Sequence, residues 1–410
     1  MKPALTLLTS LLLALLAALH AADKSAPAYR IQLDTVSEGW DGKVCWAQAR
    51  AGAIPREGAA PIVVITASPL LVTGSDVYFD IHDWRSDDLG RTWVGPVKHA
   101  ATLGRKAAGE SGGRPVTSVP GDFWPQFHRK SGKLLGLGVT FTYVDDKAPI
   151  ANRDAETIYT TYDPAKREWA APKKLHFTDP DLARDARAAC VQRFDLPEGD
   201  ILLPIYFKPE GSKFSRVRVV RCGYDGDTLT MKEAGPEIRL DTKRGLAEPS
   251  ITRVGGKFFL TIRHDEGAYV TRSDDGLRFE PMRPWTWDDG TPLGSYNTQA
   301  HWVARGGALF LVYTRRGANN DHIFRHRAPL FIAEVDTEKL AVKRVTERVL
   351  IPERGARYGN FGVCDVGADE TWIVETEWMQ RPPEEPVIPV ENRWGAKARV
   401  YAARILWQKP

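Results

Sequence analysis

The apolar and polar positions of the chain alternate in many short extended runs. Ile62 to Thr66, Leu134 to Tyr143, Asp200 to Phe207, Lys257 to Arg263 and Ala308 to Thr314 are β-rich, and each gives way to Gly, Asp, Asn or Pro chemistry. This pattern predicts strands joined by tight turns. Leu182 to Cys190 is the one short helical expectation. The first residues differ in kind: Lys2 precedes an apolar run from Leu5 to Leu19, with Ala17, Ala18, Ala21 and Ala22 as small residues for cleavage. That reads as a signal peptide over residues 1–22, too short to span a bilayer comfortably, and implies a secreted or periplasmic protein with a single domain over 23–410.

One turn signature recurs. Ser86-Asp87-Asp88-Leu89-Gly90-Arg91-Thr92-Trp93 fits S-x-D-x-G-x-T-W, and Ser273-Asp274-Asp275-Gly276-Leu277-Arg278-Phe279 is a degraded copy. Thr161-Tyr162-Asp163, followed by Trp169, is a third candidate. The carboxylate can accept backbone N–H groups in the turn, the glycine supplies a positive φ, and the aromatic ring buries between strands. Such a box is a folding device, and its recurrence points to the repeated blades of a β-propeller.

Composition narrows the function classes. The 28 prolines and 35 glycines are spread along the chain, as many turns require. Acids and bases nearly cancel to a net +4 with no dense basic run, which argues against nucleic-acid binding. Cys45, Cys190, Cys222 and Cys364 stand in no CxxC or CxxH pair, which disfavours zinc. In an oxidising compartment four cysteines permit three pairings, and a Cys45–Cys364 bridge would tie the two ends of the chain.

The boxes resemble the Asp-box (BNR) repeats of the sialidase, or neuraminidase, family, and the resemblance spans most of the mature chain. It implies an all-β, six-bladed propeller with a site on its axis. In that family three arginines hold a substrate carboxylate, an aspartate is the acid/base, and a tyrosine paired with a glutamate is the nucleophile. Arg50-Ala51-Gly52-Ala53-Ile54-Pro55 is similar to the segment with the first arginine. Asp76, with Asp80 as fallback, occupies the place of the acid/base. Glu248-Pro249-Ser250, then Arg263, then the second box, resembles the glutamate and second arginine. Phe324-Arg325-His326-Arg327 is similar to the strand with the third, with Arg327 preferred over Arg325. Arg357-Tyr358-Gly359-Asn360, followed by Glu375, resembles the last blade, so the resemblance implies Tyr358 as nucleophile and Glu375 as the residue that holds Arg50.

The implied function is an exo-acting retaining glycoside hydrolase on sialic acid or a related acidic sugar. Guanidinium groups suit a carboxylate bidentately, and a neutral phenol escapes repulsion by that carboxylate. No metal or organic cofactor is implied, and the expected partner is an acidic glycan, met by a monomer. His301 joins the substrate-binding candidates from a polar set with His82, Trp124, His128, Asn297, Gln299, Asn319, Asn320, Asp321, His322 and His326. The run from Arg315 to Arg327 is too polar and long for a hairpin turn and suggests a loop on the substrate face. A uronate lyase of propeller shape and a non-catalytic glycan-binding propeller are the other readings of the same residues.

Overall fold

Each β-rich run pairs with its neighbour in sequence, so the hairpins gather into small antiparallel sheets. The computed structural model describes residues 28–39, 41–73, 76–145, 147, 155–381, 387–389 and 391–408; the expected signal peptide lies outside them. Among the described residues there are six sheets, the blades of a β-propeller. The first blade is Val44–Arg56, Ala59–Leu71, His82–Ser86 and Val94–Lys98. The second runs from Arg114–His128 through Lys133–Val144 to Thr157–Asp163, with Lys106–Ser111 added beside its first strand. The third is Phe194–Asp195, Ile201–Phe207, Arg216–Tyr224 and Leu229–Ala234, and the fourth is Ala247–Val254, Lys257–Arg263, Tyr269–Ser273 and Arg283–Pro284. His301–Arg305, Ala308–Tyr313 and Leu330–Asp336 carry the fifth. The sixth takes Gly362–Gly367, Glu370–Thr376 and Arg399–Trp407 from the end of the chain and Tyr29–Glu38 from its beginning. Tyr29 pairs with Trp407 and Glu38 with Arg399, so backbone hydrogen bonds close the ring.

The recurrent turns hold the corners between third and fourth strands. Asp88 accepts from Thr92 N at 2.9 Å and Thr92 Oγ1 at 2.6 Å, while Ser86 Oγ receives Gly90 N at 2.8 Å. Gly90 sits at φ 77°. Asp275 makes the corresponding bonds to Leu277 N and Arg278 N at 2.9 and 2.7 Å. The same corner carries Asp163, Asp225 and Asp336, each accepting two backbone N–H groups. The turn of the third candidate therefore makes hydrogen bonds of the same kind, and Asp225 and Asp336 make them at the equivalent corners of the third and fifth blades.

Two expectations are corrected. Leu182 to Cys190 forms turns, and the short α-helix of the described residues is Ala100–Leu103 instead. All four cysteines are free and buried: Cys45 packs with Leu70, Val72 and Met379, whereas Cys364 packs with Ala51, Trp372 and Val374. Their thiols fill separate apolar clusters, so the Cys45–Cys364 bridge does not form.

Blades are welded by large apolar side chains with one polar anchor. Trp169, 1% exposed, lies against Phe123 and Tyr162 and donates its indole N–H to Asp83 at 3.0 Å. Trp169→Ala is expected to cost about 3–5 kcal/mol through cavity formation, with the Asp83 acceptor left short of a donor. Urea unfolding of the variant measures this; a loss under about 1 kcal/mol would remove Trp169 from the blade seam.

Candidate active site

The first strand of each blade runs down the propeller axis in the same sense, as the parallel bridge between Gln192 and Ser250 illustrates. Residues at the starts of these strands therefore meet at one face, and those at the ends meet at the other. Arg50, Asp122, Cys190, Glu248, Asn297 and Arg357 come from six successive blades or the segments entering them, each just upstream of residues that line an axial cavity of about 520 Å³ at the opposite face. The carboxylates and guanidinium groups collect at the first face.

Arg263 ends the second strand of the fourth blade and reaches back to Glu248 at the start of the first strand. The two side chains form a nearly buried ion pair. Burial opposes charge on Glu248, but Arg263, with Arg244 and Arg327, outweighs it and holds the carboxyl below its usual range. Among the described residues Glu248 Oε2 has no hydrogen-bond partner. Glu248 itself stands at φ 45°, where a bulge breaks the pairing between Ala247 and Ser250. Such bulges turn a side chain out of the pleat.

Asn297 gathers the arginines. Its Oδ1 accepts from Arg263 Nη2 at 2.5 Å and Arg244 Nη2 at 3.3 Å, and its backbone carbonyl accepts from Arg327 Nε at 3.2 Å. Arg327 is buried, and burial together with Arg263, Arg357 and Arg325 lowers its affinity for a proton well below the arginine norm. Arg357 is buried over Trp378 at 3.9 Å and is pushed down to about 10, first by burial. Arg325 is half-buried at φ 59° and is lowered by burial and by Arg263 and Arg244. Asp76, exposed at φ 54°, faces this group and accepts from Tyr78 Oη at 3.3 Å.

Arg50 lies deeper, fully buried over Trp124 at 5.4 Å. A Cβ at Gly362 would meet Arg50 Cγ at 2.8 Å, so the close passage of the sixth blade requires glycine there. Asp122 approaches the Arg50 guanidinium to 3.7 Å. It sits at φ 49° in a bulge between Gly121 and Trp124, and its N–H donates to Gln48 Oε1 at 2.7 Å. Burial pushes the Asp122 carboxyl up to about 6, against the pull of Arg50.

The expected site residues thus divide. Arg50, Asp76, Glu248, Arg263, Arg325 and Arg327 converge, and the loop from Arg315 to Arg327 supplies the last two. Tyr358 does not join them. Its hydroxyl donates to Pro352 O at 2.8 Å, its ring packs with Ile351, Phe361 and Tyr401, and Glu248 is engaged by Arg263 instead. Neighbouring residues of extended chain face opposite ways, so Arg357 takes the axial side and Tyr358 the core side. Glu375 does not bond to Arg50: it accepts Gly359 N at 2.6 Å and Thr376 N at 2.8 Å, and burial pushes it up to about 7. His301 is a floor residue, 0% exposed, bonded to Ser250 Oγ at 2.7 Å and edge-on to Trp124 and Phe361. Asp80 is occupied by Arg105 N and Lys98, at 2.7 and 2.8 Å. Asp122, Cys190, Arg244 and Arg357 are the residues that sequence reasoning left out of the site. The signal for Asp122 was a lone carboxylate inside the strand run from Val119 to Trp124.

No protein-family model and no curated protein sequence matches the chain. Solved structures do. A protein of unknown function from Dyadobacter fermentans superposes with a TM-score of 0.60 at 13% identity, covering 92% of this chain and 99% of that one. The sialidase of Trypanosoma rangeli gives 0.57 at 15% identity over 93% of this chain and 60% of its own length, and the NanB sialidase of Streptococcus pneumoniae gives 0.57 at 10% over 91% and 70%. The chain therefore spans well over half, but not all, of these sialidases. The fold is the six-bladed, sialidase-type propeller.

The buried carboxyls make stability depend on pH. Asp122 and Glu375 bind protons more tightly when folded, so their contribution is complete below the ordinary carboxylate range and is lost as pH rises through about 6 and about 7. Glu248 has the opposite sign, and its contribution is lost as pH falls through its lowered range. Melting curves are expected to show a midpoint that declines from about pH 4 to about pH 7. Glu375→Gln is expected to flatten the upper part of that decline; an unaltered slope would show that Glu375 is already ionised.

Proposed function

We propose that the chain is an exported glycoside hydrolase that removes a terminal sugar carrying a carboxylate, sialic acid or a related acid, from glycans. The observation that carries the reading is the crowding of Arg263, Arg325, Arg327 and Arg357, of which the last three hold their protons less tightly than an ordinary arginine. Such a group of cations is stabilised by an arriving anion, and a carboxylate suits the guanidinium fork.

Asp122 and Glu248 are the acid and base of this proposal, because their surroundings push the two carboxyls in opposite directions. The Asp122 proton passes to the glycosidic oxygen as its bond to the anomeric carbon breaks, and positive charge develops on the ring. The arginine-bound carboxylate and Glu248 face that charge. Water then adds to the anomeric carbon, its proton taken by the free Glu248 Oε2. With the Tyr358 hydroxyl held by Pro352, the scheme has no phenolic nucleophile, and the first-formed sugar is expected with inverted configuration. Asp76 stands exposed at the rim, facing Arg357 and Arg325.

A panel of acidic and neutral glycosides, fluorogenic sialoside included, tests the reading. Free acidic sugar is expected, with anomeric inversion seen by proton NMR, and Arg327→Ala is expected to raise KM on the order of thirtyfold or more, as loss of a buried charge contact implies. Asp122→Asn should abolish the alkaline limb of the rate near pH 6, while Glu375→Gln leaves it in place. Turnover of neutral glycosides alone would overturn the substrate class. An unsaturated product absorbing in the ultraviolet would replace hydrolysis by β-elimination, and binding without turnover would make the propeller a lectin.

A further inference from the structure

Arg50 and Asp122 are linked through a third side chain. Across their 3.7 Å separation lies the thiol of Cys190: Arg50 Nη2 donates to Sγ at 3.1 Å, and Sγ–H donates to Asp122 Oδ1 at 2.6 Å. Cys190 is 3% exposed and stands at φ 54° in the segment entering the third blade, a backbone conformation that L side chains rarely adopt. Burial and the Asp122 charge push its own ionisation well above the thiol norm, so the group stays S–H and remains a donor. The other cysteines differ in kind. Cys45 Sγ accepts the Met379 N–H, and Cys222 and Cys364 fill apolar clusters.

We propose that Cys190 is a positioning residue for Asp122: the thiol fixes the carboxyl rotamer beside Arg50 and supplies the side-chain hydrogen bond that the carboxylate form accepts. The proposal rests on the reading of Asp122 as the acid. A thiol suits the place because it is weakly polar enough to be buried and still donates. A lysine or arginine there would hold Asp122 permanently ionised, and an apolar side chain would leave the buried carboxylate with a cation beyond hydrogen-bond reach.

The experiment compares Cys190→Ala and Cys190→Val, which lack the donor, with Cys190→Ser, which keeps one. The titration of Asp122 is followed by carbon-13 NMR of aspartate-labelled protein, assigned with Asp122→Asn, and the alkaline limb of the rate is followed on the acidic glycoside. Loss of the donor is expected to move both upward by on the order of one pH unit. The serine variant is expected to hold them within a few tenths. Valine, closer in volume to cysteine, serves if alanine leaves a cavity that prevents folding. No movement, a downward movement as Arg50 closes on Asp122, or an equal movement in the serine variant would each overturn the proposal. The NMR titration needs no substrate, so failure of every acidic glycoside would sink the hydrolase reading while leaving this one to stand or fall separately.

Discussion

The constraint that organises the molecule is the cost of collecting cations where water is scarce. Arg263, Arg327 and Arg357 are all buried, with Arg325 half-buried beside them, and their mutual repulsion must be offset by fixed partners. Glu248 takes one guanidinium, the Asn297 side-chain and backbone carbonyls take parts of three, and Asp76 faces the rest from the rim. The carbonyls matter because they are dipoles: they satisfy N–H donors without cancelling charge. The cluster therefore keeps a positive potential that a second carboxylate in place of Asn297 would have erased.

The propeller supplies the geometry such a cluster needs. First strands from different blades point the same way along the axis, and several departures from regular pairing fall among the residues of the arginine cluster and its partners. Gln48, Asp76, Asp122, Cys190, Glu248, Asn297 and Arg325 all have positive φ. Bulges interrupt the first strands of blades one, two and four at 47/50, 121/124 and 247/250. Strain of this sort persists only where surrounding structure over-determines it. Here the surroundings are the Trp124, His301 and Phe361 floor and the glycine at 362, against which Arg50 is pressed.

Much of the fold was legible in the sequence because its signals are local. The Ser86 to Trp93 turn is a self-contained hydrogen-bond pattern, and its degraded copies could be read by the same rule. That Glu248 and Arg263 belong together was legible for a related reason, since the two residues flank one hairpin; that they would pair with each other, and Glu248 not with Tyr358, was not. Tyr358 shows where this stops. A tyrosine and an arginine side by side at a strand start are equally plausible as site residues, and a register of one residue decides which faces the axis. The Cys45–Cys364 expectation failed because sequence separation says nothing about which apolar cluster a side chain enters. Asp122 and Cys190 depended on contacts across 68 residues of chain, beyond any local pattern.

Closing the ring with Tyr29–Glu38 against Arg399–Trp407 has a temporal consequence. The outer strand of the final blade waits for its partner while the intervening chain is made, because Glu38 and Arg399 lie 361 residues apart. Until then Tyr29–Glu38 has no strand to pair with, and the sixth blade lacks its outer edge. Closure of the propeller, and with it the final setting of the arginine cluster, is thereby deferred to the moment when these two distant strands zip together.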